Sequence, residues 1–288
     1  MQPRIVSILG VGLLGGSIGL AVKERIKPCR VVGYGHKKAT LDEALRLGAI
    51  DEAYGEPGRA VQGADVVVLC TPVGAFAEIL RQIAPVVEGA LITDVGSTKR
   101  SVVKLAEAIL PQPARFVGSH PMAGSEKRGV RFARADLCDN ALCLITPTDE
   151  TDPVALSDVE AFWKILGMRT LRLSPADHDR RVAQISHLPH ALAAIIVQAA
   201  GAESLELAGR GFLDLTRIAG GDGLLWRDIL MDNRDNMRVC LAQVVLELQE
   251  FVSLLEPEKG EELRQFLDRA AAKRARIGRP GDADERGM

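Results

Sequence analysis

The sequence contains no Cys-x-x-Cys pair. Its five cysteines, Cys29, Cys70, Cys138, Cys143 and Cys240, are odd in number and scattered, which argues against a disulfide framework or a cysteine zinc site and predicts reduced thiols. An excess of either charge is also missing. Lysine plus arginine number 36 against 38 aspartate plus glutamate, so no global field favours nucleic acid or an anionic membrane, and a small, locally recognised ligand fits better. No signal-peptide cleavage pattern follows Met1-Gln2-Pro3-Arg4, and no uninterrupted apolar stretch approaches the length of a membrane span. The expectation is a cytoplasmic protein with neither nucleic acid nor membrane as partner.

What is present is core-forming material: 47% of the 288 residues are apolar, enough for one large domain or two ordinary ones. From Arg4 to about Leu173, short β-branched runs at 5–9, 31–34, 66–70, 91–94, 116–119 and 142–145 alternate with helical stretches. That alternation predicts a parallel sheet covered by helices, an α/β fold of the doubly wound Rossmann type. Asp65-Val66-Val67-Val68-Leu69-Cys70 is the continuous apolar run expected of a strand buried on both faces. After Ser174-Pro175 strand signals stop, and helical periodicity runs through 185–200, 224–231 and 237–255, with a further helical candidate at 258–276. The predicted domains are therefore 1–173, dinucleotide-binding, and 174–276, all-α, with a polar tail at 277–288 expected to be disordered. Runs such as Ala191-Leu192-Ala193-Ala194-Ile195-Ile196-Val197 need burial on more than one face, and a second subunit is the expected cover.

Gly10-Val11-Gly12-Leu13-Leu14-Gly15 follows a predicted strand and opens a predicted helix, the context in which a glycine pattern signals a dinucleotide. Gly10 makes the tight turn, Gly12 lets the pyrophosphate approach, and Gly15 permits close helix–strand packing, while Leu13 and Leu14 begin the helix whose N–H groups meet the phosphates. Gly16 and Ser17 extend the same small-residue surface. At the end of the second strand, where NAD-specific folds usually place an acid, stand Gly35, His36, Lys37 and Lys38; NADP is preferred, with NAD as the alternative. Cys70, Thr71 and Pro72 end the next long strand on the ligand-binding edge and line the nicotinamide-ribose side. In Asp94-Val95-Gly96-Ser97-Thr98-Lys99, Ser97 or Thr98 can cap the following helix.

Four of the five histidines cluster in polar contexts: Gly118-Ser119-His120-Pro121-Met122-Ala123-Gly124-Ser125-Glu126, then His178-Asp179, then Ser186-His187-Leu188-Pro189-His190. A neutral imidazole can take the proton released as an alcohol is oxidised, and His120 at a strand end is well placed for it. His187 and His190 share a spacing that metal ligands use, but Pro189 lies between them and no third ligand is evident, so no metal is expected.

Together with Thr216-Arg217-Ile218-Ala219 and Trp226-Arg227-Asp228, these motifs run in matching order over about residues 4–255, and the chain resembles the prephenate and arogenate dehydrogenases. The resemblance implies an N-terminal Rossmann domain, a C-terminal helical dimerisation domain and an active site in the cleft between them. It makes His120 the catalytic histidine that hydrogen-bonds the ring hydroxyl, with Ser97 supporting it beside the nicotinamide. Arg217 would bind a substrate carboxylate, His187 would line the pocket, Ser125 and Glu126 would sit at its mouth, and Trp226 would form a wall. The implied reaction is oxidative decarboxylation of prephenate or arogenate, with hydride passing to NADP or NAD, in a homodimer. Leu213 departs from the lysine that some relatives carry, and the chain beyond the helical domain is too short for the ACT domain that others append. Other readings are a 3-hydroxyacid or imine-type dehydrogenase, which usually relies on a helical-domain lysine that Ser-His-Leu-Pro-His lacks, and a non-catalytic NADP-binding protein.

Overall fold

The structure is a computed structural model that describes residues 2–111, 115–123 and 127–277. Its strands are β1 (Ile5–Leu9), β2 (Arg30–Tyr34), β3 (Glu52–Tyr54), β4 (Val66–Leu69), β5 (Leu91–Asp94), β6 (Arg115–Pro121), β7 (Leu142–Thr146) and β8 (Arg169–Arg172). They form one eight-stranded sheet in the order β3-β2-β1-β4-β5-β6-β7-β8. Pairing is parallel from β3 to β6, with Ile8 opposite Val68 and Val68 opposite Thr93. The expected all-parallel pattern breaks at one place. β7 runs antiparallel to β6, pairing His120 with Leu144, and β8 is parallel to β7.

Both faces of the sheet are covered, as the apolar runs require. Alternate residues of one strand enter different cores: Val66 and Val68 join Ile8, Ile18 and Trp163, whereas Val67 and Leu69 join Phe76, Leu80 and Ile92. The first core is covered by α1 (Leu13–Arg25), with α2 (Lys38–Arg46) beside it. The short α3 (Pro57–Ala60), α4 (Phe76–Ile83) and α5 (Arg100–Ile109) cover the second. α6 (Pro153–Ile165) supplies Phe162 and Trp163 to the first core; its N-terminus has Pro153 in the first turn and Asp152 accepting the Val154 N–H.

Past β8 the chain is helical. α7 (Pro175–Val182) is capped by Ser174 and runs through a single π turn, Ala183–His187, into α8 (Leu188–Ala199). The π turn has a local cause. Pro189 has no N–H to offer and its ring crowds the carbonyl of Ile185, so the ladder must widen just before it. The continuous segment Pro175–Ala199, at 25 residues, is long and apolar enough to match a membrane span by length and composition, although Asp177, Asp179, Arg180 and Arg181 interrupt its apolar run. Of its polar residues, His178, Asp179, His187 and His190 are buried, whereas Arg180, Arg181 and Gln184 are exposed.

The short helices α9 (Ala202–Leu205) and α10 (Arg210–Thr216) and a 3-10 turn, Arg217–Gly220, lead to α11 (Gly223–Asp232). The described chain divides into two compact units after Asn233, so these helices belong to the same unit as the sheet. The second unit contains α12 (Arg234–Ser253) and α13 (Gly260–Ala275), joined in part by a T-shaped contact between Phe251 and Phe266 at 5.5 Å. Large apolar side chains lie exposed in each unit: Ile185, Ile195 and Leu215 in the first, Val239, Leu246 and Val252 in the second. Of the tail expected to be disordered, residues 278–288 lie outside the described residues.

Candidate active site

The order of the sheet reverses between β1 and β4, and at such a switch point the carboxyl ends of the strands leave a crevice for a ligand. The loop after β1 is built for close approach. Gly10 has φ +114°, and a Cβ on it would lie 2.7 Å from the backbone of Cys70 and Thr71. A Cβ on Gly15 would lie 2.1 Å from the Gly10 carbonyl oxygen, so α1 can start only where it does with glycine there. Gly12 differs: a Cβ on it would meet nothing within 4 Å among the described residues. It stands at the N-cap of α1, which has no side-chain cap and no acid in its first turn. The first-turn N–H groups, Leu13, Leu14 and Gly15 among them, have no intrahelical acceptor, and the open space above Gly12 fits a pyrophosphate on that helix end. Beside the loop, the Thr71 Oγ1 is buried with no hydrogen-bond partner among the described residues. This loop fits a dinucleotide.

Gly16 and Ser17 do not extend that surface. A Cβ on Gly16 would lie 2.7 Å from Val130, and the Ser17 hydroxyl donates to the Leu13 carbonyl and accepts the Arg134 N–H; both hold the segment from Val130 to Arg134 against α1. At the end of β2, Gly35, His36 and Lys38 line a second cavity of about 580 Å³ with Asp51, Glu52 and Tyr54. The His36 ring lies against the Tyr34 hydroxyl, 3.1 Å from Nε2. Lys38 pairs with Asp42 at 2.8 Å, and Lys37 is exposed at the start of α2.

β6 carries His120 to the same carboxyl edge. A buried polar network fixes the strand there: Asp94 at the end of β5 accepts the Ser119 N–H at 3.0 Å and forms an ion pair with Lys99, both side chains being fully buried. The Ser119 hydroxyl donates to the Asp94 carbonyl at 2.6 Å and accepts from the Trp163 indole N–H at 3.0 Å. Such a network is stabilising because its members are satisfied.

From His120 a line of buried polar groups leads into the helices. Its Nδ1 lies 2.9 Å from Nε2 of His178, and Nδ1 of His178 lies 2.8 Å from Oδ1 of Asp179. The Asp179 carboxylate accepts the backbone N–H of Lys99 at 2.7 Å and of Arg100 at 3.0 Å, so it caps α5. That corrects the expectation for Ser97 or Thr98, since α5 has no cap from its own chain neighbours. The Asn233 amide donates to the Asp179 carbonyl at 2.8 Å and lies 3.2 Å from Nδ1 of His187. Burial, reinforced by His178, Lys99 and His187, holds the His120 imidazole well below the ordinary histidine range. Burial also lowers His178 against the pull of Asp179, and takes His187 down to about 4. For Asp179, burial acts upward but is outweighed by the hydrogen bonds from His178, Arg100 and Lys99, which keep it ionised. The line therefore consists of neutral imidazoles ending on a carboxylate.

A cavity of about 530 Å³ lies in the same unit, lined among others by Pro72, Lys127, His190, Arg217, Asp222 and Trp226. Trp226 stacks on His190 with ring centroids 3.5 Å apart and planes at 14°, and meets the edge of His187 at 6.1 Å. Gly221 is required beside them, because a Cβ there would lie 2.6 Å from the Trp226 indole nitrogen. Two carboxylates of the lining are engaged: Asp222 pairs with Arg128 and Asp228 with Arg227. The cavity suits a flat, anionic ligand.

The structure thus brings Arg217, Trp226 and Pro72 together, and Thr71–Pro72 joins that cavity to the glycine loop. His120 and His187 do not line it; they connect to it through His178, Asp179, Asn233 and Trp226. Ser97 is half-buried, with its backbone beside His187. Ser125 and Glu126 lie outside the described residues. Sequence reasoning gave no role to Asp179, Asn233, His190 or Gly221. Only the adjacency His178-Asp179, an imidazole beside a carboxylate, carried a visible signal.

Comparison with known proteins gives a consistent result. A family described as "Prephenate dehydrogenase, nucleotide-binding domain" matches residues 18–172, and one described as "Prephenate dehydrogenase, dimerization domain" matches 174–269. The chain is 36% identical to a prephenate dehydrogenase of Bacillus subtilis over 92% of this chain and 74% of that protein. It matches the crystal structure of prephenate dehydrogenase from A. aeolicus in complex with hydroxyphenyl propionate and NAD+, with TM-score 0.89, 33% identity and coverage of 96% and 98%. It also matches the Synechocystis arogenate dehydrogenase structure, with TM-score 0.79, 28% identity and coverage of 94% and 99%.

Proposed function

The chain belongs to the prephenate dehydrogenase family, and we propose on that premise that His120 takes the hydroxyl proton while Arg217 holds the substrate. The family's chemistry is this chain's: an oxidoreductase that carries out NAD(P)-dependent oxidative decarboxylation on the route to tyrosine. The bound nicotinamide supplies the hydride acceptor.

The chain's own residues have to orient a ring and receive one proton. His120, neutral because it is buried, accepts the hydroxyl proton as carbonyl character develops at the ring carbon. Loss of the ring carboxylate as CO2 restores aromaticity and needs little help from the protein. The Arg217 guanidinium pairs with a substrate carboxylate through its two-pronged geometry, and Trp226, backed by His190, walls the ring. Ser97 supports His120, and His187 shapes the floor under Trp226. Ser125 and Glu126 keep their place at the pocket mouth in this proposal, resting on the motif alone. Prephenate and arogenate differ only in a keto or amino side chain, and either fits this reading. The observation that carries it is the buried line from His120 to His187 and Trp226, in one compact unit with both the glycine loop and Arg217.

For the cofactor we place NADP ahead of NAD, because the residues directly after β2, Gly35, His36 and Lys37, include no acid where NAD-specific folds usually carry one. Lys38, paired with Asp42, contributes less than the sequence implied. The A. aeolicus relative holds NAD+, so tighter binding of NAD than of NADP is the result that would reverse this preference. We further propose functional domains at 1–173 and 174–276, a homodimer through the helical part with its exposed apolar side chains buried, and a cytoplasmic location. Mixing the protein with prephenate or arogenate and either nicotinamide should produce absorbance of the reduced cofactor. No reduction with any of the four pairs would overturn the reading.

A further inference from the structure

Two nitrogens of the His120 ring could serve as the base, and the hydrogen bonds around it choose between them. Asp179 accepts from two backbone N–H groups as a carboxylate, so the His178 nitrogen at 2.8 Å from it must be the donor. A neutral His178 with its proton on Nδ1 has a lone pair on Nε2. The His120 nitrogen 2.9 Å away must then donate in turn, which puts the His120 proton on Nδ1 and leaves Nε2 as the lone pair.

We infer that His178 and Asp179 are positioning residues that set the His120 tautomer, so that its Nε2 is the atom that receives the substrate proton; this rests on His120 being the base. A neutral imidazole free in water prefers its proton on Nε2, the wrong atom for that task. When Nε2 of His120 gains the hydroxyl proton, the Nδ1 proton can pass to Nε2 of His178. The positive charge then rests on a ring hydrogen-bonded to the Asp179 carboxylate. Nothing is oxidised in this step, one proton moves at each nitrogen, and Asp179 stays ionised. Among the described residues, the other groups facing the line are Lys99, whose charge is paired with Asp94, and His187, whose Nδ1 faces the Asn233 amide; neither offers His178 a competing acceptor. Asn233 holds Asp179 through its carbonyl and fixes the end of the line.

The test is the protonation pattern of the five histidines, read by long-range 1H–15N correlation on 15N-histidine-labelled protein, with His120 assigned by its loss in His120→Asn. The wild-type protein is expected to show His120 protonated on Nδ1. His178→Leu should shift it towards Nε2–H and lower kcat with prephenate by about tenfold or more, with KM changed less than about twofold. His178→Gln can turn its amide oxygen to His120 and its N–H to Asp179, and should restore the Nδ1 tautomer and part of kcat. An Nε2–H tautomer in the wild-type protein, or wild-type turnover in His178→Leu, overturns the inference. If His178→Leu does not fold, the wild-type and His178→Gln spectra still decide. Full activity in His178→Leu beside an inactive His120→Asn removes the relay alone, whereas full activity in His120→Asn removes His120 as the base.

Discussion

The carboxylate of Asp179 accepts the backbone N–H of Lys99 across 80 positions of sequence, at 2.7 Å. With the second bond to Arg100, it closes the N-terminus of α5 from a helix outside the sheet. The same side chain orients His178, which orients His120. In the proposed mechanism, fold stability and the alignment of His120 therefore meet in one carboxylate.

Replacing Asp179 with alanine removes the α5 cap and leaves His178 without its acceptor. A loss of stability of about 1–3 kcal/mol is expected, seen as a lower denaturation midpoint together with reduced turnover. An unchanged midpoint would show that α5 does not depend on this contact.

Gly12 faces open space, so Gly12→Val should fold as the parent does, within about 1 kcal/mol by chemical denaturation. Its cofactor affinity should fall by about tenfold or more, because the new side chain occupies the volume needed by the pyrophosphate. Gly15→Ala should instead destabilise the fold, since its methyl group would strike the Gly10 carbonyl. Equal behaviour of the two variants would contradict the division of labour in the loop.

For Arg217→Ala, substrate KM is expected to rise by about 10- to 100-fold, as loss of one charge-assisted carboxylate contact implies, with nicotinamide affinity unchanged. Arg217→Lys should recover only part of the loss, because an ammonium cannot make the paired contact. A variant that lost cofactor binding instead would move Arg217 to the other ligand.

Acid should affect catalysis and folding differently. His120 is held well below 6.5, so the proposed base is already neutral at pH 6.5 and the acid limb of kcat should lie below that value. His187 falls to about 4 in the folded protein. The unfolded chain, with an ordinary histidine value near 6.5, binds more protons between those limits, so stability should decline as pH drops from about 6.5 to about 4. Denaturation midpoints across that window check the second point; a His187→Gln variant should show a shallower decline.

Much of the sheet was legible because β1, β2, β4 and β5 are apolar runs bounded by turn residues, and the glycine loop sits where a strand meets a helix. β3 and β8 escaped notice for a physical reason: Glu52–Tyr54 is only three residues long, and Arg169–Arg172 is polar, at the edge of the sheet. The antiparallel turn of β7 left no trace in composition. His120, Arg217 and Trp226 could be named from local motifs, and the last two share a cavity. The caps and relays were hidden, because Asp179 reaching Lys99, or Asn233 reaching His187, is a pairing of residues remote in sequence. Leu213, which departs from a lysine in some relatives, is exposed.

The most direct test of the account is a crystal structure of the enzyme with oxidised nicotinamide and 4-hydroxyphenylpyruvate. The ring hydroxyl is expected within about 2.6–3.2 Å of Nε2 of His120, with the side-chain carboxylate paired to Arg217. A ligand bound with its hydroxyl away from His120, or its carboxylate away from Arg217, would contradict it.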